Sequence, residues 1–259
     1  MIFAQIKSDL KRIFVSPKIY GAVACVFFLC YISTEEYIQG NVDIFYILDL
    51  LIGLSVFKKL IVIFAVLPCV TGFYDDWKNQ YIKNIVMRGG KSNYIISKVV
   101  TCVVISFLIV FIGIFLYMFS LILMGVDYSG NNDIGGLTES TLYGVLLLKN
   151  PLVYTCCIIS IYAASMSVWV VSGLMMSAYI PNSFVAVCCP LIYSYLVEEV
   201  TAFLPPYLNM YFLTKGNDIL GMSATYSYLY TILIFGVLII IQGYVFGKRV
   251  VRRLGNEIS

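Results

Sequence analysis

The chain has 259 residues, of which 61% are hydrophobic and only 12% charged, whereas soluble domains carry about 25% charged residues. Together with a mean hydropathy of +0.92, this composition excludes a water-soluble globular domain and predicts a membrane protein. The chain contains no histidine, which excludes serine-histidine proteases and His-Glu-x-x-His zinc enzymes. We therefore expect no enzyme activity in this chain. We also expect no nucleic-acid partner.

Residues 1–17 predict a helix that lies in the membrane surface. Their apolar side chains recur on one helical face, with polar and basic side chains elsewhere. These apolar residues are Ile2, Ile6, Leu10, Ile13 and Phe14. Ser16 and Pro17 are typical of a helix start, as N-cap and first helical residue. The alternative is an ordinary basic flank to the first membrane span.

Uncharged runs then predict the membrane-spanning helices, each of which needs about 20 apolar residues. Four such runs are residues 19–34, 60–74, 99–126 and 219–247. A fifth run, 150–197, contains no Lys, Arg, Asp, Glu or His and is too long for one crossing. Pro181 cannot continue a helix, so we expect a turn at 179–183 between two spans. The sequence therefore predicts an all-α, polytopic membrane protein with six transmembrane helices.

The charge distribution predicts the orientation of these helices. Thirteen of the 17 basic residues precede the first span, lie between the second and third, or follow the sixth. The other connections carry ten of the 14 acidic residues. Because short loops rich in Lys and Arg stay on the cytoplasmic side, both termini are predicted to be cytoplasmic.

The largest cytoplasmic connection, residues 75–94, has the composition of a short, separate helix. Acidic Asp75 and Asp76 are expected at its start and Gly89-Gly90 at its end, in line with the helix dipole. Trp77, Tyr81 and Ile85 recur every four residues and form an apolar stripe. This stripe either rests on lipid headgroups or inserts into a groove of a soluble partner.

This organisation, with the run Met87-Arg88-Gly89-Gly90-Lys91-Ser92-Asn93-Tyr94-Ile95-Ile96-Ser97-Lys98, resembles the type 2 ABC transporter permeases (ABC-2 type), especially small bacterial members. The residue-level likeness covers about 25 positions. In that family the same connection carries a coupling helix that docks on a separate ATPase. The resemblance implies an ATPase contact formed by Asp75, Asp76, Trp77, Tyr81, Ile85 and Arg88.

The resemblance also implies the partners. Two six-span halves, of the same or a related chain, would assemble with two ATPase subunits in a bacterial plasma membrane. ATP and magnesium would be bound by the ATPase and no cofactor by this chain. This agrees with the sequence around Gly90-Lys91-Ser92, which mimics the end of a phosphate loop but has Ile85 where the first glycine is required.

Residues 198–226, after the fifth span, are expected to form an exterior re-entrant region. Glu198, Glu199, Pro205 and Pro206 interrupt an apolar stretch there, as in the family's short helices near the exterior gate. The two carboxylates are either a solvated helix end or part of a gate.

The expected function is export of a hydrophobic or amphipathic substrate, a peptide being favoured by the uncharged, Tyr- and Ser-rich spans. Small permeases of this kind resemble those of peptide-toxin export and bacteriocin immunity, which is a fold-level analogy. The alternative is a non-transporting subunit that senses, or gives immunity to, a peptide antibiotic.

Overall fold

A computed structural model describes residues 2–38, 42–53, 56–79, 81–82, 85–86, 90–126, 150–180, 182–216 and 224–256. In this part of the chain, nine α-helices are described. They are α1 (Ile2–Val15), α2 (Pro17–Ile38), α3 (Ile44–Gly53), α4 (Leu60–Lys78), α5 (Lys91–Leu123), α6 (Pro151–Tyr179), α7 (Ser183–Ala202), α8 (Met210–Lys215) and α9 (Ala224–Asn256). Two 3-10 turns cover Val56–Lys59 and Pro206–Leu208.

Six of these helices are long and apolar enough to cross a membrane: α2, α4 with its preceding turn, α5, α6, α7 and α9. The predicted all-α fold with six spans is confirmed. The uncharged run 150–197 divides where expected, because α6 ends at Tyr179 and Ile180 is extended. The Asn182 side chain then accepts a hydrogen bond from the Phe184 amide at 3.0 Å and caps α7.

Helix α6 is the centre of the bundle. In its most apolar stretch 89% of the residues are buried, against 17% in α7. Its hydroxyl side chains are satisfied locally, since Ser167 Oγ donates to the Ala163 carbonyl at 3.0 Å. Ser167 also accepts a hydrogen bond from Ser106 of α5 at 3.0 Å, which joins two neighbouring spans. Four spans, α4, α5, α7 and α9, pack directly against α6, whereas α2 packs against α4 and α5.

Helix α1 agrees with the amphipathic helix predicted for the N-terminus. Leu10 and Ile13 pack against the bundle core, whereas Phe3 is 87% exposed. Ser16 separates α1 from α2, and Pro17 is the first residue of α2 as expected. The placement of α1 in a membrane surface and the cytoplasmic location of both termini stay predictions.

A buried helix, α3, lies in the connection between the first two spans and was not predicted. Eight of its ten residues are buried. A helix of ten residues is too short to cross a membrane. Asp43 Oδ1 accepts a hydrogen bond from the Phe45 amide at 3.3 Å at the start of α3. Helix α8, within the expected exterior region 198–226, packs against α3, α6 and α7. The two short helices together cover one end of the bundle.

The expectation that Asp75 and Asp76 begin a separate helix was wrong. Both lie in the last turns of α4, which continues without a break to Lys78. Carboxylates near a helix C-terminus are unfavourable to the helix dipole. They are accommodated because cations from α1, α2 and α5 surround them.

The short helix between α4 and α5 is described only at residues 81–82 and 85–86, which are helical. The amide of Gly90, the next described residue, donates to the Val86 carbonyl at 2.9 Å. Gly90 has φ of +82°, a conformation that L side chains rarely adopt, so a glycine is favoured where α5 starts.

Candidate functional site

Four charged side chains meet where α1, α4 and α5 come together. The Asp76 carboxylate, only 2% exposed, lies 2.8 Å from Arg12 Nη1 and 2.7 Å from Lys98 Nζ. Lys98 Nζ is also 3.2 Å from Asp9 Oδ1, and Ser97 Oγ donates to Asp9 Oδ2 at 2.7 Å. The Tyr94 hydroxyl donates to Asp76 Oδ2 at 3.5 Å. The Asp76 cluster comprises Asp9, Arg12, Asp76, Tyr94, Ser97 and Lys98.

The Asp76 cluster is electrically balanced, with two carboxylates alternating with two cations. The largest single effect on the pKa of Arg12 is desolvation by burial, which lowers it. The hydrogen bond and charge of Asp76, with the charges of Asp9 and Asp75, outweigh desolvation and raise the Arg12 pKa. Arg12 therefore stays charged, and it binds the N-terminal helix to α4.

A cavity of about 140 Å³ with both polar and apolar walls lies beside the Asp76 cluster, between α1, α4 and α5. Arg12, Lys18 and Lys98 contribute to its walls. Thr101, which is 2% exposed, also lines it, and its hydroxyl has no hydrogen-bond partner in the described part of the chain. The cavity has room for a few ordered water molecules, which would satisfy this hydroxyl.

The stripe predicted on the connection between α4 and α5 is divided by the fold. Tyr81 is 60% exposed and is the member of the stripe that faces outward. Ile85 packs partly against the core, and its neighbour Ile82 is only 2% exposed. Of the connection's apolar side chains that the structure describes, Tyr81 is thus the most accessible to a partner.

Trp77, the first residue of the stripe, packs within the chain. The Arg253 guanidinium of α9 lies 4.4 Å from the Trp77 ring centroid, and the Phe73 ring is 6.1 Å away. Arg253 also donates to the Ala178 carbonyl of α6 at 3.0 Å. Trp77 therefore links the end of α4 to two other spans, in addition to any contact with a partner.

The two acidic residues of the predicted ATPase contact differ in their surroundings. Asp76 is enclosed in the Asp76 cluster. Asp75 has a side chain that is 47% exposed, 3.9 Å from Lys18 Nζ. Arg88, the last predicted contact, lies outside the described residues. Asp75 and Tyr81 are thus the predicted contact residues that reach the surface most fully among those described.

A second buried ionic site lies at the other end of α4, about 27 Å along the helix. Lys59, 3% exposed, forms an ion pair with Glu198 of α7 and donates to the Ser194 carbonyl at 3.4 Å. The Lys59 ammonium also faces the rings of Tyr195, at 5.1 Å, and Trp169, at 5.8 Å. The Lys59 cluster comprises Lys59, Trp169, Ser194, Tyr195 and Glu198, and it joins α4, α6 and α7.

Further ionic contacts hold the short helices α3 and α8 at the same end. Lys215 Nζ lies 3.2 Å from Asp49 Oδ2. Lys58 Nζ donates to the Gly53 carbonyl at 3.1 Å and is 4.7 Å from the centroid of the Tyr211 ring. These contacts close the end of the bundle that the charge distribution assigns to the exterior.

The residues expected near an exterior gate are not equivalent. Glu198 is the partly buried partner of the buried Lys59, whereas Glu199 is exposed. Pro205 and Pro206 are also exposed; Pro205 precedes the 3-10 turn at 206–208 and Pro206 is its first residue. Only Glu198 therefore makes a contact between spans that a conformational change would have to break.

Asp9, Arg12, Lys59 and Lys98 were not predicted to form ion pairs between helices. The two lysines and Arg12 were expected to be solvated loop or flanking charges. One available signal was the position of Lys98, seven residues inside α5, which places its charge among apolar neighbours. Intramembrane or near-membrane ionisable residues normally have a partner.

No protein-family model, no curated protein and no solved structure matches this chain. By its helices it is a multi-span membrane protein.

Proposed function

We propose that this chain is the membrane-spanning permease subunit of an ABC exporter of the type 2 kind. Energy would come from a separate ATPase subunit that binds ATP and magnesium, while this chain catalyses no reaction. The complex would hold two permease halves and two ATPase subunits in the plasma membrane of a bacterium. The observation that carries the proposal is the exposed Tyr81, in a connection whose two flanking spans are joined by the ion pair of Asp76 with Lys98.

The Asp76 cluster supports a mechanical role for this short helix. Asp76 precedes the connection and Lys98 follows it, and their 2.7 Å contact fixes the base of the connection. Arg12 and Asp9 extend the same contacts to α1. A partner that moved the short helix would therefore move α1, α4 and α5 together.

The Lys59 cluster supports a closed exterior end in this conformation. It joins α4 to α7 through a buried ion pair, and α4 is the span that also carries Asp76. A displacement of α4 by a docked ATPase would act on Lys59 at the far end of the same helix. Coupling of the two ends through α4 is the mechanism that we propose.

The substrate that fits best is hydrophobic or amphipathic, and a peptide is our choice. The six spans present long apolar faces, and the described ionisable residues of the bundle interior are paired near its ends. A highly charged substrate would have no matching charges along the centre of these spans.

The test is purification of the tagged chain together with its neighbouring proteins, followed by transport assays in inverted membrane vesicles. We expect an ATPase subunit to copurify and a fluorescent hydrophobic peptide to accumulate with ATP, with inhibition by vanadate. An associated ATPase without vanadate-sensitive accumulation would favour the sensing or immunity role. Absence of both results would overturn the proposal.

A further inference from the structure

A long apolar groove runs along the outer surface between α5 and α9, near the ends that carry basic residues. Its volume is about 730 Å³, and it lies apart from both ionic clusters. The groove extends from Ser92 to Val104 on α5, a rise of about 18 Å along the helix. One leaflet with its headgroups is roughly 20 Å thick, so the groove matches the length of a lipid molecule.

Two glycines form the floor of the groove and allow the helices to approach closely. A Cβ atom on Gly247 would lie 3.0 Å from Ile95 Cγ2, and one on Gly243 would lie 3.4 Å from Val99 Cγ1. The walls are branched or long apolar side chains that remain accessible, such as Val100, 36% exposed, and Ile240, 70% exposed. The helices are therefore in contact at the floor and leave space above it.

The mouth of the groove has a different chemistry from its interior. Ser92, Tyr244 and Lys248 line this end, and none of the groove-lining residues is acidic. Lys248 is exposed and forms no ion pair within the part of the chain that the structure describes. Tyr244, 71% exposed, has the amphipathic side chain typical of the headgroup level.

Further cations flank the mouth. Lys91 precedes Ser92, and Arg252 follows the lining residue Val251; both side chains are exposed. Exposed cations close to a membrane surface attract anionic lipid headgroups. The groove thus combines an apolar interior for an acyl chain with donors and positive charge for a phosphate at one end.

We propose that this groove is a binding site for an anionic phospholipid of the leaflet on the basic side. One acyl chain lies over Gly243 and Gly247, and the headgroup phosphate accepts hydrogen bonds from Lys248 and Ser92. This site is independent of the proposed transport function. It predicts a preference for phosphatidylglycerol over phosphatidylcholine, which share acyl chains but differ in net charge.

The experiment is a lipid titration of the delipidated full chain, followed by native mass spectrometry. We expect the first phosphatidylglycerol to bind more tightly than phosphatidylcholine. Lys248→Gln should weaken phosphatidylglycerol binding about fivefold, the order expected for one lysine at an anionic surface. Lys11→Gln, which removes an exposed cation of α1, is the matched control and should change binding little.

Val100→Trp tests the apolar part of the groove by filling it. This variant should lose binding of the first lipid of either headgroup, whereas Leu116→Trp, at an exposed position elsewhere on α5, should retain it. If Val100→Trp fails to fold, as judged by circular dichroism, Lys248→Gln still decides the proposal. Equal affinity for the two lipids, or no loss with Lys248→Gln, would overturn it. Disulfide-linked dimers of Ile240→Cys would also overturn it, by assigning the groove to a second copy of the chain.

Discussion

Asp76 and Lys98 form a 2.7 Å ion pair that joins the end of α4 to the start of α5. The connection that carries Tyr81 lies between these two residues in the sequence. Asp76 also binds Arg12, so one buried carboxylate holds three helices together. The stability of this end of the bundle should depend on that carboxylate more than on any surface charge nearby.

Asp76→Asn should therefore destabilise the protein strongly. The change leaves Lys98 buried with less compensating charge, and breaking a buried ion pair costs on the order of 3–5 kcal/mol. The measurement is the temperature at which half of the detergent-solubilised protein remains monodisperse.

The adjacent residue provides the control for this change. Asp75→Asn removes a half-exposed pair with Lys18, 3.9 Å apart, for which we expect at most about 1 kcal/mol. Similar melting temperatures for the two variants would contradict the structural role of the Asp76 cluster.

Glu198→Gln should likewise destabilise the opposite end of the bundle, because it leaves the buried Lys59 ammonium without its carboxylate. The double variant Lys59→Met with Glu198→Gln should recover much of the loss, since replacing a buried ion pair with uncharged side chains is often neutral. Thermal stability of the two variants provides the comparison. Glu199→Gln, at an exposed position, is the control and should have the thermal stability of the wild type. A larger loss of thermal stability in Glu199→Gln than in Glu198→Gln would contradict the role of the Lys59–Glu198 pair.

Gly173→Ala should weaken the packing of α6 against α7. A Cβ atom there would lie 2.6 Å from the ring of Pro190 and 2.9 Å from the Ala186 carbonyl oxygen, neither of which can rotate away. We expect a loss of about 1–3 kcal/mol, the usual cost of overpacking. Gly236→Ala is the matched control in α9, where a Cβ atom has open space. Equal stability of the two variants in thermal unfolding would show that α7 can shift to accept the methyl group.

The membrane spans could be predicted from the sequence because their signal is local. Long uncharged runs define α2, α5 and α9, and Pro181 marks the turn inside residues 150–197. The same reasoning missed α3, because its ten residues, Asp49 among them, are too few for a span. It also placed the end of the second span at residue 74, whereas α4 continues to Lys78. Asp75 and Asp76 look like the solvated end of a span in the sequence, because their cationic partners Lys18 and Arg12 are distant along the chain.

The two ionic clusters could not be predicted, because their members are far apart in the sequence. Arg12 and Asp76 are 64 positions apart, and Lys59 and Ser194 are 135 positions apart. No periodicity or spacing rule connects such residues, since their contact depends on how the helices pack. Tyr81 belongs to a stripe that the sequence shows locally, but its exposure depends on the fold, which packs Trp77 and Ile85 of the same stripe against the core. Its role in docking depends on a partner and stays a prediction.

Tyr81→Ala is the sharpest test of that role. The Tyr81 side chain is 60% exposed, so its removal should leave folding and membrane insertion intact. A buried aromatic anchor contributes about 2 kcal/mol or more to an interface, so the affinity for the ATPase subunit should fall about 30-fold. Binding measured on the purified components, with ATP-dependent transport as a second readout, tests this expectation.

Trp77→Ala is a less direct test, because Trp77 packs against Arg253 and Phe73 and its loss should also lower thermal stability. Lys78→Ala changes an exposed side chain of the same segment and serves as the control, with near wild-type affinity expected. If Tyr81→Ala retained full ATPase binding and full transport, Tyr81 would instead rest among lipid headgroups. The Asp76 cluster would then stabilise the fold without transmitting motion from a partner.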